Sequence, residues 1–173
     1  MTHPPSGVTV RSARTTDVAD IRRLVDVYAP RKILLDKATV TLYEDVQEFV
    51  VAEIDGAIIG CGALHVIWED LAEVRTLAVD PEVRGTGAGH ALLERLVLRA
   101  RELGVRRVFC LTFEVEFFTA HGFHAIEGDP VEPEVYEELL RSYDEGVAEF
   151  LGLERVKPNT LGNTRMLLVL EDR

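Results

Sequence analysis

The chain contains no apolar run near the roughly 20 residues that a membrane-spanning helix requires. Its opening, MTHPPSGVTV, has neither the basic nor the apolar region of a secretory signal, so residues 1–7 are expected to form a short flexible lead-in. Cysteine is scarce. Cys61 and Cys110 stand alone, with no Cys or His at ligand spacing, so neither a disulfide framework nor a metal site is expected. Each lies in an apolar run and should behave as a small buried hydrophobe in a reducing cytoplasm. Basic residues are outnumbered, 19 Lys and Arg against 30 Asp and Glu, for a formal net charge of −11. That balance speaks against nucleic acid and anionic membrane as main partners, since both require a basic face. Internal repeats, low-complexity tracts and linkers are also missing. What remains is 173 residues, 47% hydrophobic and 28% charged, which suits one globular domain with a single core.

Alternation marks a strand at 8–13. Val18, Ile21, Val25 and Tyr28 then recur at helical spacing behind Thr15, Thr16 and Asp17, and Pro30 closes that helix. Residues 31–42 have no clean period and read as a loop or short helix. Two apolar runs flank Asp55-Gly56, a strong hairpin signal, with Gly60 and Gly62 inside the second strand. A strand at 73–79, a glycine-rich turn and a helix follow. Leu92, Leu93, Leu96, Ala100 and Leu103 share one face of that helix, which Gly104 stops. Residues 106–112 read as a strand buried on both faces. A short helix around 115–121, a strand near 123–126, one helix over 132–152 and a last strand at 164–170 complete the chain. An antiparallel front half followed by one β-loop-α-β unit makes the fold class α+β or mixed α/β.

The turn is the most informative stretch. Strand, Gly-rich turn and helix together present free backbone N–H groups to an anion. Arg84-Gly85-Thr86-Gly87-Ala88-Gly89 adds a cation at the same place, so a phosphate or pyrophosphate is the expected ligand. A tight turn without a ligand is the plainer alternative. No Gly-Lys-Ser/Thr closes the turn, which excludes a P-loop, and His90 stands where the last glycine of a dinucleotide fingerprint belongs.

RGTGAG resembles the Arg/Gln-x-x-Gly-x-Gly/Ala acetyl-CoA loop of the GNAT N-acetyltransferases. The strand VRTLAVDPEVRG before it and EFFTAHGF after it are similar to that family in order and distance, and the resemblance covers residues 8–126. It implies a largely antiparallel sheet with a central, splayed parallel pair, here 73–79 and 106–112, and flanking helices. It implies acetyl-CoA as co-substrate, with the pyrophosphate on the amides of Arg84 to Gly89 and His90. The pantetheine arm would lie along Leu77, Ala78 and Val79, with Phe118 as cofactor wall. LYEDVQEFVVAEIDGAIIGCGALH and DLAEVRTLAVDPEVRGTGAG look like the short N-acetylglutamate synthases, which implies the α-amine of glutamate as acceptor and a role in arginine biosynthesis. Where those enzymes carry Pro-Arg, this chain has Asp36-Lys37, and a lysine cannot make the bidentate carboxylate contact of arginine. Glutamine is therefore an alternative acceptor.

Acetyl transfer to an amine requires a base, a polarised thioester carbonyl and a proton for the thiolate. Glu73, opening the strand that lines the site, is the candidate base, a solvated strand-end glutamate being the alternative. A backbone N–H near Leu77 or Ala78 would serve the oxyanion. Many relatives supply the thiolate proton from a tyrosine, where Phe118 stands here and has no proton to give. Arg75, Lys37, Lys32 and Arg31 are the candidates for binding the substrate carboxylates. Period-two geometry leaves open which face Arg75 takes, and the loop cations could be plain solvated charge. His65, His121 and Trp68 read as structural. Two other functions remain open: transfer to a polyamine, antibiotic amine or protein N-terminus, and a non-catalytic acyl-CoA-binding module, which the missing tyrosine would suit. A homodimer is the base-rate expectation.

Overall fold

The structure, a computed structural model, describes residues 7–31, 34, 36–152 and 162–171. Most of the expected lead-in (residues 1–6) and Lys32 lie outside the described residues. Seven strands form one sheet: β1 (Thr9–Ser12), β2 (Phe49–Ile54), β3 (Ala57–Trp68), β4 (Leu71–Val79), β5 (Arg107–Thr112), β6 (His124–Ala125) and β7 (Thr164–Val169). The spatial order is β1-β2-β3-β4-β5-β7-β6. All neighbours are antiparallel except β4 and β5. The β2–β3 hairpin turns at Asp55 and Gly56, both with positive φ (50° and 81°), as a tight Asp-Gly turn requires.

Helices cover both faces. The alternation of β2 sends Val50 and Ala52 to one face and Phe49 and Val51 to the other. The first face packs under α3 (Ala88–Glu102) through Leu92, Leu93, Leu96 and Ala100. Leu103, expected on the same face, is instead 56% exposed, because the helix stops before its side chain can turn inward. Gly60 and Gly62 let α3 sit this close: a Cβ on either would lie 2.9 Å from a leucine methyl of the helix. The second face packs under α1 (Val18–Tyr28) and α2 (Thr39–Glu44). Farther along, α5 (Pro133–Leu139) and α6 (Glu145–Phe150) cover β5 and β7. Between them, α4 (Val115–Ala120) leads into β6.

The single helix expected over 132–152 is two. The first ends at Leu139, and Asp144 (φ −72°, ψ 127°) starts α6 by accepting the Val147 N–H at 2.9 Å on its carboxylate. Phe150, fully buried, holds α6 down by an edge-on contact with Phe109 at 4.8 Å, a geometry worth about 0.5–1.5 kcal/mol beyond its buried area.

Two irregularities shape the middle of the sheet. β4 and β5 pair only from Leu71–Arg107 to Glu73–Phe109, then separate. On its other edge β4 carries an extra residue: Cys61 faces Ala78 but Ala63 faces Arg75, two steps on β3 against three on β4. The bulge falls at Thr76, whose φ of 55° is unusual for a β-branched residue.

Candidate active site

Two cavities meet where the strands part. One, of about 280 Å³, runs along Leu77, Ala78 and Val79 to Arg84 and Gly89, walled by Tyr28, Phe117 and Phe118. The other, of about 380 Å³, lies between the loop after α1, strand β4 and helix α6. Leu34, Val74, Arg75, Thr76 and Leu111 line both. The first cavity fits a long thioester arm: it is largely apolar, and strand backbone runs along it without ladder partners on that side. At its end Gly85 and Gly87 have φ of 84° and 81°, a conformation in which an L side chain is strained. Gly87 caps α3, and Thr86 Oγ1 donates to the Val83 carbonyl at 2.9 Å, fixing the turn. Arg84 is exposed at the same end.

The other residues named from the sequence fall on both sides of the junction. Leu77, Ala78, Val79, Gly89 and Phe118 line the first cavity, Phe118 being 5% exposed with no hydroxyl to offer. Tyr28, not named beforehand as a groove residue, donates its hydroxyl to the Val79 carbonyl at 2.5 Å. His90 turns away: its ring nitrogens meet His121 at 2.6 Å and Glu94 at 3.1 Å. Arg31 is exposed and lines neither cavity.

Glu73, Arg75 and Lys37 line the second cavity. Arg75 faces inward. Its guanidinium donates to Glu73 Oε2 at 3.1 Å and to Asp144 at 2.9 Å, and it lies flat on Gly146. Its Nε is buried and has no hydrogen-bond partner among the described residues. Burial pushes the Glu73 carboxyl above its usual value, partly offset by Arg75. Burial works the same way on Asp144, but Arg75, His65 and the Val147 N–H outweigh it and hold that carboxyl below its usual value. His65, read as structural, hydrogen-bonds Glu48 and reaches Asp144 at 4.0 Å. Arg22 on α1 holds the segment before α2, donating to the Lys37 carbonyl and to Asp36 at 2.9 Å. Lys37 pairs with Asp45 at 3.9 Å and feels Asp144 and Glu48 as well, but burial together with the Arg75 charge lowers its pKa. Of the two inward cations, Arg75 is committed to two carboxylates and Lys37 is not.

Among the lining residues that the sequence did not single out are Asp144, Glu149 and Asn163. Glu149 is 8% exposed, and burial beside Glu73 pushes its carboxyl up to about 8. Asn163 Nδ2 donates to it at 3.4 Å. The one available signal was acidic residues at unusual density in an otherwise amphipathic stretch. Among the described residues no group of three or more His, Cys, Asp or Glu could hold a metal, and no helix is long and apolar enough to cross a membrane. Cys61 and Cys110 are buried and free, and burial pushes the Cys61 thiol up to about 12.

A buried carboxylate beside two joined cavities, one apolar and ending at an anion-ready turn, suits acyl transfer from a phosphorylated thioester. Comparison with known proteins agrees. The acetyltransferase (GNAT) family model matches residues 19–126. An amino-acid acetyltransferase from Mycobacterium tuberculosis is 63% identical over 164 residues, 93% of this chain and 94% of that one. A Mycobacterium tuberculosis structure in complex with CoA and NLQ superposes with a TM-score of 0.92 at 62% identity, covering 94% of this chain and 99% of that one. N-acetylglutamate synthase from Neisseria gonorrhoeae, complexed with coenzyme A and N-acetyl-glutamate, shares the fold (TM-score 0.76, 24% identity) over 95% of this chain and 35% of its own. The chain belongs to the acetyltransferase (GNAT) family and is an acetyl-CoA-dependent acetyltransferase.

Proposed function

We propose that the protein transfers acetyl from acetyl-CoA to the α-amine of L-glutamate or L-glutamine, the first step of arginine biosynthesis, in the cytoplasm. The observation that carries this reading is the position of Glu73: buried, raised in pKa, and lining the second cavity one residue from Val74, which lines both. A carboxylate there takes a proton from the incoming ammonium, directly or through water, and a raised pKa suits it to that task near neutral pH. Lys37, the inward cation whose ion pair among the described residues is a long one of 3.9 Å to Asp45, takes the α-carboxylate, in place of the Arg75 role expected from sequence. Arg75 instead positions Glu73. The pyrophosphate lies on the turn from Arg84 to Gly89, with the arm along Leu77 to Val79.

The bulge takes Thr76 and Leu77 out of regular register with β3, and a backbone N–H near Leu77 or Ala78 stabilises the oxyanion. The amine nitrogen bonds to the thioester carbon, the C–S bond breaks, and the thiolate takes a proton from water or from the product ammonium, Phe118 having none. Among relatives, the name amino-acid acetyltransferase supports this acceptor class. The five carboxylates against two cations around the acceptor cavity favour a second reading, a cationic amine.

Thiol release from acetyl-CoA decides between them, with glutamate, glutamine, lysine, spermidine and a short peptide as acceptors. Turnover with glutamate or glutamine alone is expected. Glu73→Gln is expected to lower kcat at least a hundredfold with acetyl-CoA binding intact. Turnover with the cationic amines alone overturns the amino-acid reading.

A further inference from the structure

Tyr28 ends α1 and lines the groove along β4, where it is 8% exposed. The place of its hydroxyl follows from the strand. Asp80 turns its N–H to the Ile59 carbonyl at 2.8 Å, and Val79 stands opposite Gly60 on β3. Backbone groups alternate sides along an antiparallel pair. Val79 therefore turns its N–H and its carbonyl away from β3, to the side where β5 has already parted. A strand carbonyl at that edge has lost its ladder and calls for another donor. The Tyr28 hydroxyl supplies it, at 2.5 Å.

A hydroxyl donates one proton and accepts through two lone pairs. With its proton on Val79, Tyr28 still has acceptor capacity, and Arg84 comes to it from the glycine turn. Both side chains line the groove, and the hydrogen bond to Tyr28 is the main cause that raises Arg84 above the ordinary arginine value. A guanidinium carries five N–H donors in a planar fork. One directed to Tyr28 leaves others for a phosphate. It also restrains a long exposed side chain whose ordering on binding would otherwise cost entropy.

We propose that Tyr28 is a positioning residue for acetyl-CoA, a strut whose hydroxyl, donating to Val79 and accepting from Arg84, sets the spacing between the arm subsite and the pyrophosphate subsite. The inference rests on the placement proposed above, with the pyrophosphate on the turn from Arg84 to Gly89 and the arm along Leu77 to Val79. It adds what holds the two in register. The fold does not hang on this hydroxyl. The Tyr28 ring packs with the core under α1. Arg23 on the same helix donates to Asp80 Oδ2 at 3.1 Å and to the Ile58 carbonyl at 2.9 Å, and so ties α1 to β3 and to the end of β4 independently.

The test is calorimetric binding of CoA and of pantetheine, the same arm without the nucleotide. The full chain is used as wild type, Tyr28→Phe, Arg84→Met and the double variant, with thiol release and thermal unfolding measured alongside. Tyr28→Phe is expected to weaken CoA about tenfold, the scale of one hydrogen bond to a charged group, and pantetheine by less than about twofold. The KM for acetyl-CoA rises in step while kcat holds, as loss of uniform binding requires. Arg84→Met weakens CoA by itself, and adding Tyr28→Phe to it costs little more, because the two residues act as one unit. A tyrosine that is merely structural would weaken both ligands alike in either background and lower Tm, and that result overturns the strut. So does CoA affinity unchanged in Tyr28→Phe, or a full Tyr28→Phe penalty that persists beside Arg84→Met. Normal CoA binding by Gly87→Asp overturns the placement of the pyrophosphate itself, and this inference with it.

Discussion

Gly146→Ala tests the centre of the site with a single methyl group. Gly146 is the second residue of α6, and the Arg75 guanidinium lies against it so closely that a Cβ would stand 2.5 Å from Cζ and 2.9 Å from Nη1. Relieving that overlap to an ordinary contact displaces the guanidinium by about 1 Å. Ion pairs at 3.1 Å to Glu73 and 2.9 Å to Asp144 then open to roughly 4 Å. Two effects oppose each other. Alanine is favoured over glycine in a helix interior by about 1 kcal/mol, and by less in the first turn. Overpacking a rigid site costs about 1–3 kcal/mol, and the end of Arg75 cannot swing away cheaply because both carboxylates hold it. The clash wins, for a net loss of about 1–2 kcal/mol, or about 2–8 °C in Tm for a domain of this size. Because Arg75 positions Glu73, kcat/KM falls about 10- to 100-fold, with CoA affinity unchanged. Thermal unfolding and thiol release measured on one preparation give both numbers. A variant with a higher Tm and full activity would refute the reasoning, since helix propensity alone would then describe the position.

Gly87→Asp puts a negative side chain where the pyrophosphate lies; at φ 81° aspartate is strained but tolerated, so the protein stays folded and loses CoA binding, as calorimetry would show. Asp17 accepts from Arg11 at 2.7 and 3.0 Å and from the Arg14 N–H at 2.7 Å, and its pKa is lowered chiefly by the Arg11 hydrogen bond. A depressed carboxylate gives stability that is present above its unfolded value and lost as pH falls through the folded one. Asp17→Asn is therefore expected to cost about 1–2 kcal/mol at pH 7 and progressively less towards pH 3, in urea titrations; a deficit constant with pH would contradict that account.

What could be read in the sequence was local. Asp55-Gly56 dictates its own turn, the apolar rows of α1 and α3 are periodic, and RGTGAG carries its conformational demand in its glycines. The acceptor cavity was legible only in Lys37, Glu73 and Arg75, because the rest of its lining comes from distant segments. Arg75 and Asp144 are 69 positions apart, and nothing near Asp144 announces that the residue that caps α6 also reaches a guanidinium on β4. The same partner decides Arg75: its inward face could not be fixed by strand period alone, since the bulge at Thr76 resets the count. His90 was named for its amide beside the turn, and nothing in the sequence signalled that its ring would meet His121 and Glu94.

The parting of β4 and β5 after three paired positions has a consequence for the life of the protein. A sheet interrupted at its centre is one whose continuity the co-substrate can complete. Whatever binds the folded form and not the unfolded one adds RT ln(1 + [L]/Kd), about 2.7 kcal/mol at a hundredfold excess over Kd. Heat resistance, protease resistance and amide exchange around Leu77 to Val79 would then all report how full the acetyl-CoA pool is. In a cell short of acetyl-CoA the enzyme would be a softer target for turnover, so its abundance would follow its fuel.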